Sequence, residues 1–100
     1  WNDMLAADLL PMVKLALRIS HDMLDEEIIS VIEAAMAEMV RRGVRPSLFK
    51  HCENPDILAA IRIYCRKEFW VNDAGRYQML QTAWDTKVDE IRRHHPRKRS

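Results

Sequence analysis

The sequence predicts an all-α fold, a small bundle of about four helices with a basic, extended C-terminal tail. Apolar residues recur at steps of three and four along four segments, which is the spacing of one helix face. No alternation of apolar and polar residues persists, as a half-buried strand would require. Only two glycines and four prolines interrupt the 100 residues. We therefore expect one helical domain over residues 1–93 and a basic tail over residues 94–100.

The first helix is indicated by its start. Pro11 follows Asp8-Leu9-Leu10, and a proline in the first turn of a helix costs no hydrogen bond because that N–H has no helical partner. This helix should run to about Ile19. Ser20, His21 and Asp22 then offer capping side chains for a second helix.

The second helix is the longest clearly amphipathic segment. Negative charge in the first turn is favoured by the helix dipole, and Asp25, Glu26 and Glu27 supply it. Arg41-Arg42-Gly43 ends the helix, with cations at its negative end and a glycine for a left-handed cap. The apolar stripe between these ends consists of Leu24, Ile28, Ile32, Ala35, Met36 and Met39.

The third and fourth helices follow a connector that contains Pro46. Its Leu48 and Phe49 should pack a loop against the core rather than form a strand. Asn54-Pro55-Asp56 then supplies a cap, a first-turn proline and a first-turn acid for the third helix. Asn72-Asp73-Ala74-Gly75 separates it from the fourth, which Pro96 stops. Because the link between them is short, these two helices should pack antiparallel.

The four stripes predict the hydrophobic core. Burying Trp84, Phe69 and Tyr77 should stabilise the fold by several kcal/mol each, at roughly 25 cal/mol per Å². The residues expected to form the core are Leu24, Ile28, Ile32, Met36, Ile57, Ile61, Cys65, Phe69, Leu80, Trp84 and Val88.

Residue types that carry chemistry are present but poorly placed. His51-Cys52 stands alone, Cys65 lies further along a helix, and His94-His95 falls at a helix end, so three or four metal ligands do not surround one centre. Adjacent side chains such as His51 and Cys52 rarely face each other, which argues against a nucleophile and base pair. We expect no metal, no cofactor, no catalytic residues and no enzymatic activity.

Two other patterns have simple explanations. The acidic cluster Asp22, Asp25, Glu26 and Glu27 could be a cation site or a general acid and base, but its place at a helix start favours a capping role. The six methionines could form an adaptable contact surface, although ordinary core packing is the preferred interpretation. No apolar run is long enough for a membrane span and the first residues lack the basic segment of a secretory signal, so we expect a soluble cytoplasmic protein.

Charge is distributed unevenly along the chain. Residues 1–91 hold eleven basic and fifteen acidic residues, whereas the end from Arg92 onward holds five basic residues and no acid. Such a tail could dock on an acidic protein, contact DNA phosphates, or have no specific role, and docking is preferred. The basic residues concerned are Arg92, Arg93, Arg97, Lys98 and Arg99.

Taken together, the segments ISHDMLDEEI, IISVIEAAMAEMV, NPDILAAIRIYCRKEFW and RYQMLQTAWDTKVDEIRR resemble the head-tail connector family of tailed phages, also called adaptor or head-completion proteins. The connector VRPSLFKHCENP departs from the family pattern. The matching positions in the first half are Arg18, Ile19, His21, Asp22, Asp25, Ile28, Ile32 and Ala35. Those in the second half are Pro55, Ile57, Ala60, Ile61, Phe69 and Trp70.

The resemblance implies a structural subunit located in the virion neck and made in the host cytoplasm. Such subunits commonly assemble as a twelve-membered ring beneath the portal protein. The ring connects the head to the tail or to stopper proteins and leaves a channel for packaged DNA. The five basic residues of the tail would then dock on the portal. The main alternative is a small helical DNA-binding protein, a regulator or packaging factor, that uses the tail on phosphates.

Overall fold

The computed structural model describes residues 6–45, 48–49, 54–69 and 73–94. Within these ranges every regular element is helical and no strand occurs, which confirms the all-α prediction and its four helices. A 3-10 turn at Ala6–Leu9 leads into the first α-helix. The four helices are α1 (Leu10–Leu17), α2 (Asp25–Arg41), α3 (Pro55–Phe69) and α4 (Ala74–His94).

Helix α3 lies at the centre of the domain and packs against the other three helices. Its pairing with α4 is antiparallel, as the short link predicts. Lys87 Nζ in the second half of α4 lies 3.7 Å from Asp56 Oδ1 at the start of α3. At the other end, Lys67 Nζ lies 5.2 Å from the centre of the Tyr77 ring. Helix α1 also packs against α3 and has few contacts with α4.

The starts of α3 and α4 are capped by their local sequence. Asn54 Oδ1 accepts hydrogen bonds from the backbone N–H groups of Asp56 (2.9 Å) and Ile57 (3.3 Å), and Pro55 opens α3 as expected. Asp73 Oδ1 accepts the N–H of Arg76 at 2.7 Å in the same way. These side chains satisfy N–H groups that have no partner within the helix.

The break between α1 and α2 differs from its prediction in two ways. Helix α1 ends at Leu17, earlier than Ile19, because Arg18 adopts a left-handed conformation (φ 58°, ψ 40°) and the N–H of Ile19 returns to the carbonyl of Lys14. The cap of α2 is Leu24, which makes no side-chain capping hydrogen bond. Asp22 is instead paired with Lys14, so the expected capping by Ser20, His21 and Asp22 was wrong.

The core is continuous through all four helices. Eight of the eleven residues expected in it are fully buried, namely Ile28, Ile32, Met36, Ile57, Ile61, Cys65, Trp84 and Val88. Leu24 and Phe69 are partly buried against them. Val13 and Leu17 of α1 and Phe49 of the connector are also buried, with Leu48 packed beside them, as the connector pattern indicates.

The first half of α4 contributes less to the core than its periodicity suggests. Leu80 is only half-buried and Tyr77 is 40 % exposed, so the expected burial of these two side chains was wrong. The buried residues of α4 are Trp84, Val88 and Ile91, all in its second half. In the second half of α4, Asp85 and Asp89 are reached by Arg42 at the end of α2, so this half contacts α2 as well as α3.

Gly43 ends α2 in a conformation that only glycine adopts readily. Its φ is +102°, and a Cβ at this position would lie 3.2 Å from Nε of Arg92. We expect Gly43→Ala to lower the free energy of unfolding by about 1–2 kcal/mol, measured by urea denaturation. Gly75→Ala is the control, because Gly75 lies in the first turn of α4 with ordinary φ and a Cβ there would meet only Asp73 Oδ1, at 3.4 Å, so alanine should not destabilise. Equal effects of the two substitutions would contradict the strain at Gly43.

Candidate docking surfaces

An apolar groove lies where α1 turns into α2. It has a volume of about 470 Å³ and is lined by Leu10, Pro11, Lys14, Leu15, Ile19 and Asp25. The groove exists because α1 ends at a sharp left-handed turn, so that Ile19 folds back beside the helix while Leu15 points outward. Leu15 is 80 % exposed and the neighbouring Met23 is 89 % exposed. We name this region, Leu10 to Glu27, the α1–α2 corner.

Lys14 holds the α1–α2 corner together. Its Nζ lies 2.8 Å from Asp22 Oδ1 and 2.8 Å from Asp25 Oδ1, so one lysine of α1 ties both the loop and the start of α2. The hydrogen bond to Asp22 is the main cause that raises the pKa of Lys14 and lowers that of Asp22. The acidic cluster therefore serves the start of α2 only in part, because two of its carboxylates pair with Lys14. No sequence pattern links Lys14 to these carboxylates, because the pairing depends on the turn at Arg18.

Two acidic residues of the α1–α2 corner remain unpaired. Glu26 and Glu27 are exposed in the first turn of α2 and form no ion pair within the described residues. From Lys14 to Glu27 the chain carries four carboxylates against the two cations Lys14 and Arg18. The groove is thus lined by apolar residues and the Lys14–Asp25 pair, and the segment that forms it carries an excess of negative charge.

A second exposed apolar region lies where α3 meets α4. Tyr77 is 40 % exposed and Met79 is 68 % exposed, and with Leu15 and Met23 they are the large exposed apolar side chains of the described residues. Tyr77 faces Lys67 of α3, whereas Met79 lies on another face of α4, beside Arg76. Arg66 and Arg76 are exposed and have no ion pair among the described residues. We name this region, Arg66–Lys67 with Arg76–Met79, the α3–α4 tip. Met36 and Met39 pack in the core as expected of methionine, whereas Met23 and Met79 are exposed.

Lys67 links α3 to α4 at the α3–α4 tip. Its side chain is buried, with Nζ 4.5 Å from the centre of the Tyr64 ring, 5.2 Å from that of Tyr77 and 3.3 Å from Glu68 Oε2. Burial alone would lower the pKa of Lys67, but the Glu68 carboxylate raises it overall. The ammonium is thus held charged between two aromatic rings, a favourable cation–π arrangement. Periodicity could not identify this buried lysine.

The last turn of α4 is basic. Arg92 and Arg93 are exposed in the last turn, and Arg92 Nη1 lies 3.4 Å from Asp89 Oδ1. Arg93 has no ion pair within the described residues. The remaining basic residues assigned to docking, Arg97, Lys98 and Arg99, lie outside the described residues.

Reactive and ligating groups do not converge anywhere in the described ranges. No three His, Cys, Asp or Glu side chains there could hold a metal ion together. His51, Cys52 and His95 lie outside those ranges. None of the helices described is long and apolar enough to cross a membrane.

Cys65 is a buried free thiol, and burial raises its pKa from the ordinary 9.0 to about 12. Since the thiolate is the reactive form, we expect Cys65 in a Cys52→Ser variant to resist an aromatic disulfide reagent at about pH 8 and to react once urea unfolds the chain. Reaction of the folded variant at the rate of the unfolded one would contradict the burial of this thiol.

No protein-family model matches the chain, and comparisons with curated proteins and with solved structures find no significant match either. The fold defines an all-helical domain with two exposed apolar regions of opposite charge character.

Proposed function

We propose that this chain is a structural subunit of a tailed-phage neck, a head-tail connector that assembles as a ring beneath the portal. One observation carries the proposal: large apolar side chains, Leu15 and Met23, remain in water beside an apolar groove. Large apolar side chains exposed at a groove mark a candidate site of contact with another protein. A subunit of a larger particle has such surfaces because neighbouring subunits cover them.

The position of the groove also agrees with the family resemblance. Several residues that match the connector pattern form the α1–α2 corner, among them Arg18, Ile19, Asp22 and Asp25. At these positions the chain forms a left-handed turn, one wall of the groove and two carboxylates that pair with the same lysine. Their pattern supports an architectural function for this segment.

The basic end is the proposed portal contact. Arg92 and Arg93 extend α4 beyond Ile91, its last buried residue, and three more cations follow in the sequence. An acidic surface of the portal would complement them. In this arrangement the corner and the tip stay available for contacts between subunits.

Removal of residues 94–100 tests the portal contact. We expect the truncated chain to unfold at the same urea concentration as the full chain, because the buried core of the described residues ends at Ile91, and to bind its portal more weakly in a pull-down. A control replaces Arg41 by Ala, which removes one exposed cation outside the tail, the corner and the tip. If the truncated chain bound the portal as tightly as the full chain, the tail would not be the portal contact.

Electron microscopy and DNA titration separate the proposal from the DNA-binding alternative. Negative-stain images of the chain mixed with the portal should show added density in a ring beneath it. Binding of a free DNA duplex should be weak. A DNA-binding protein would instead bind duplex with a slope of log K against log salt of about −0.9 per phosphate contacted, and a steep slope without ring formation would favour that alternative.

A further inference from the structure

The two exposed apolar regions differ in shape and in charge. The α1–α2 corner contains an apolar groove, and the exposed Glu26 and Glu27 follow its lining residue Asp25 on α2. Met79 of the α3–α4 tip projects into water, with Arg76 beside it on the same face of α4. From Arg66 to Arg76 the chain carries three cations against two carboxylates, and those carboxylates are engaged by Lys67 and by the start of α4. The α1–α2 corner is therefore shaped to receive a side chain, and the α3–α4 tip presents one that projects.

Within one molecule, α1 and α4 both pack against α3 and have few contacts with each other. We propose that the α3–α4 tip of one copy docks in the α1–α2 corner of a second copy, with Met79 in the groove beside Leu15 and Arg76 facing Glu26 and Glu27. This inference rests on the proposed assembly role and assigns the surfaces that join neighbouring subunits.

Two features of the side chains support the pairing. Methionine is flexible and polarisable, so it fills a shallow apolar groove without requiring an exact shape. The unpaired carboxylates of the corner and the unpaired guanidinium groups of the tip are complementary, which orients the two copies. Because the contact joins two different surfaces, each copy keeps a free groove and a free tip. Such a head-to-tail contact generates a closed ring or an open filament rather than a two-fold dimer.

Cross-linking between two single-cysteine variants tests the pairing. Leu15→Cys and Met79→Cys are each made in the Cys52→Ser chain, where Cys65 is buried, and one variant carries a tag that changes its size. With a short bismaleimide, the mixture should give a product that contains one copy of each variant. Neither variant alone should give a product. Thr86→Cys, exposed elsewhere on α4, replaces Met79→Cys in the control mixture and should give background only.

Three outcomes decide the inference. A mixed product well above the Thr86→Cys control supports it. A product from Leu15→Cys alone or Met79→Cys alone, equal to that of the mixture, indicates a two-fold contact and overturns it. No product above the control also overturns it.

Sedimentation of two disabled variants gives an independent readout. Leu15→Asp disrupts the groove and leaves the tip intact. Met79→Asp disrupts the tip and leaves the groove intact. Each alone should remain monomeric, whereas their mixture should form one-to-one pairs and nothing larger, since each pair has used its only intact groove and tip. Larger species in the mixture, or association of either variant alone at the level of the native chain, would overturn the inference.

Failure of this inference differs from failure of the proposed function. Rings on the portal without a cross-link between Leu15→Cys and Met79→Cys would mean that other surfaces join the subunits, and the connector role would stand. A clear cross-link without any binding to a portal would leave the self-association in place and remove the connector role.

Discussion

Trp84→Ala is expected to lower the free energy of unfolding by about 3–5 kcal/mol, the range for removing a large aromatic side chain from a core. Trp84 is 1 % exposed and its ring lies 4.8 Å from that of Tyr64 with an angle of 61° between the planes. The substitution therefore creates a cavity between α3 and α4 and also removes an edge-to-face aromatic pair. Small domains have only about 5–15 kcal/mol of stability, so the variant should be close to unfolding at 37 °C.

Urea denaturation followed by circular dichroism measures this loss. The matched control is Met79→Ala on the same helix, which removes a side chain that is 68 % exposed and should change the free energy of unfolding by less than about 0.5 kcal/mol. If Trp84→Ala cost no more than Met79→Ala, the packing of α4 on α3 described here would be incorrect.

Phe49→Ala is expected to have an effect of similar size, about 3–5 kcal/mol. Phe49 is fully buried although it belongs to the connector between α2 and α3 rather than to a helix. The N–H of Leu48 bonds to the carbonyl of Arg45 at 3.1 Å, which forms the turn that places Phe49 against the core. Loss of the ring should therefore release the connector as well as leave a cavity.

Thermal unfolding of Phe49→Ala and Leu48→Ala compares the two neighbours. Leu48 is only partly buried, so its truncation should cost clearly less than that of Phe49. The reverse order would show that the connector packs through Leu48 instead.

The sequence predicts best the features that depend on adjacent residues. Asn54-Pro55-Asp56 contains its own cap, its own proline and its own first-turn acid, and α3 starts there as expected. The stripe of α2 is likewise local, because a helix with one apolar face has only one way to bury it. Ile28, Ile32 and Met36 are accordingly buried.

Features that depend on distant residues were missed or predicted wrongly. Periodicity places Leu80 on the same face as Trp84, but whether that face is covered depends on how the other helices pack, and Leu80 is only partly buried whereas Trp84 is buried. Asp22 has the chemistry of a cap, yet Lys14 competes for its carboxylate once Arg18 turns the chain back. The same turn forms the groove, so the candidate docking surface could not be predicted from local patterns.

The interpretation as an assembly subunit depends on the uncovered α1–α2 corner, and one comparison tests it most directly. Native chain and Leu15→Asp are each mixed with the portal protein and imaged by negative stain. Leu15 is 80 % exposed, so the substitution should leave the free energy of unfolding nearly unchanged. We predict rings beneath the portal with the native chain and none with Leu15→Asp. Rings of equal frequency with both proteins would contradict a role for this corner in assembly.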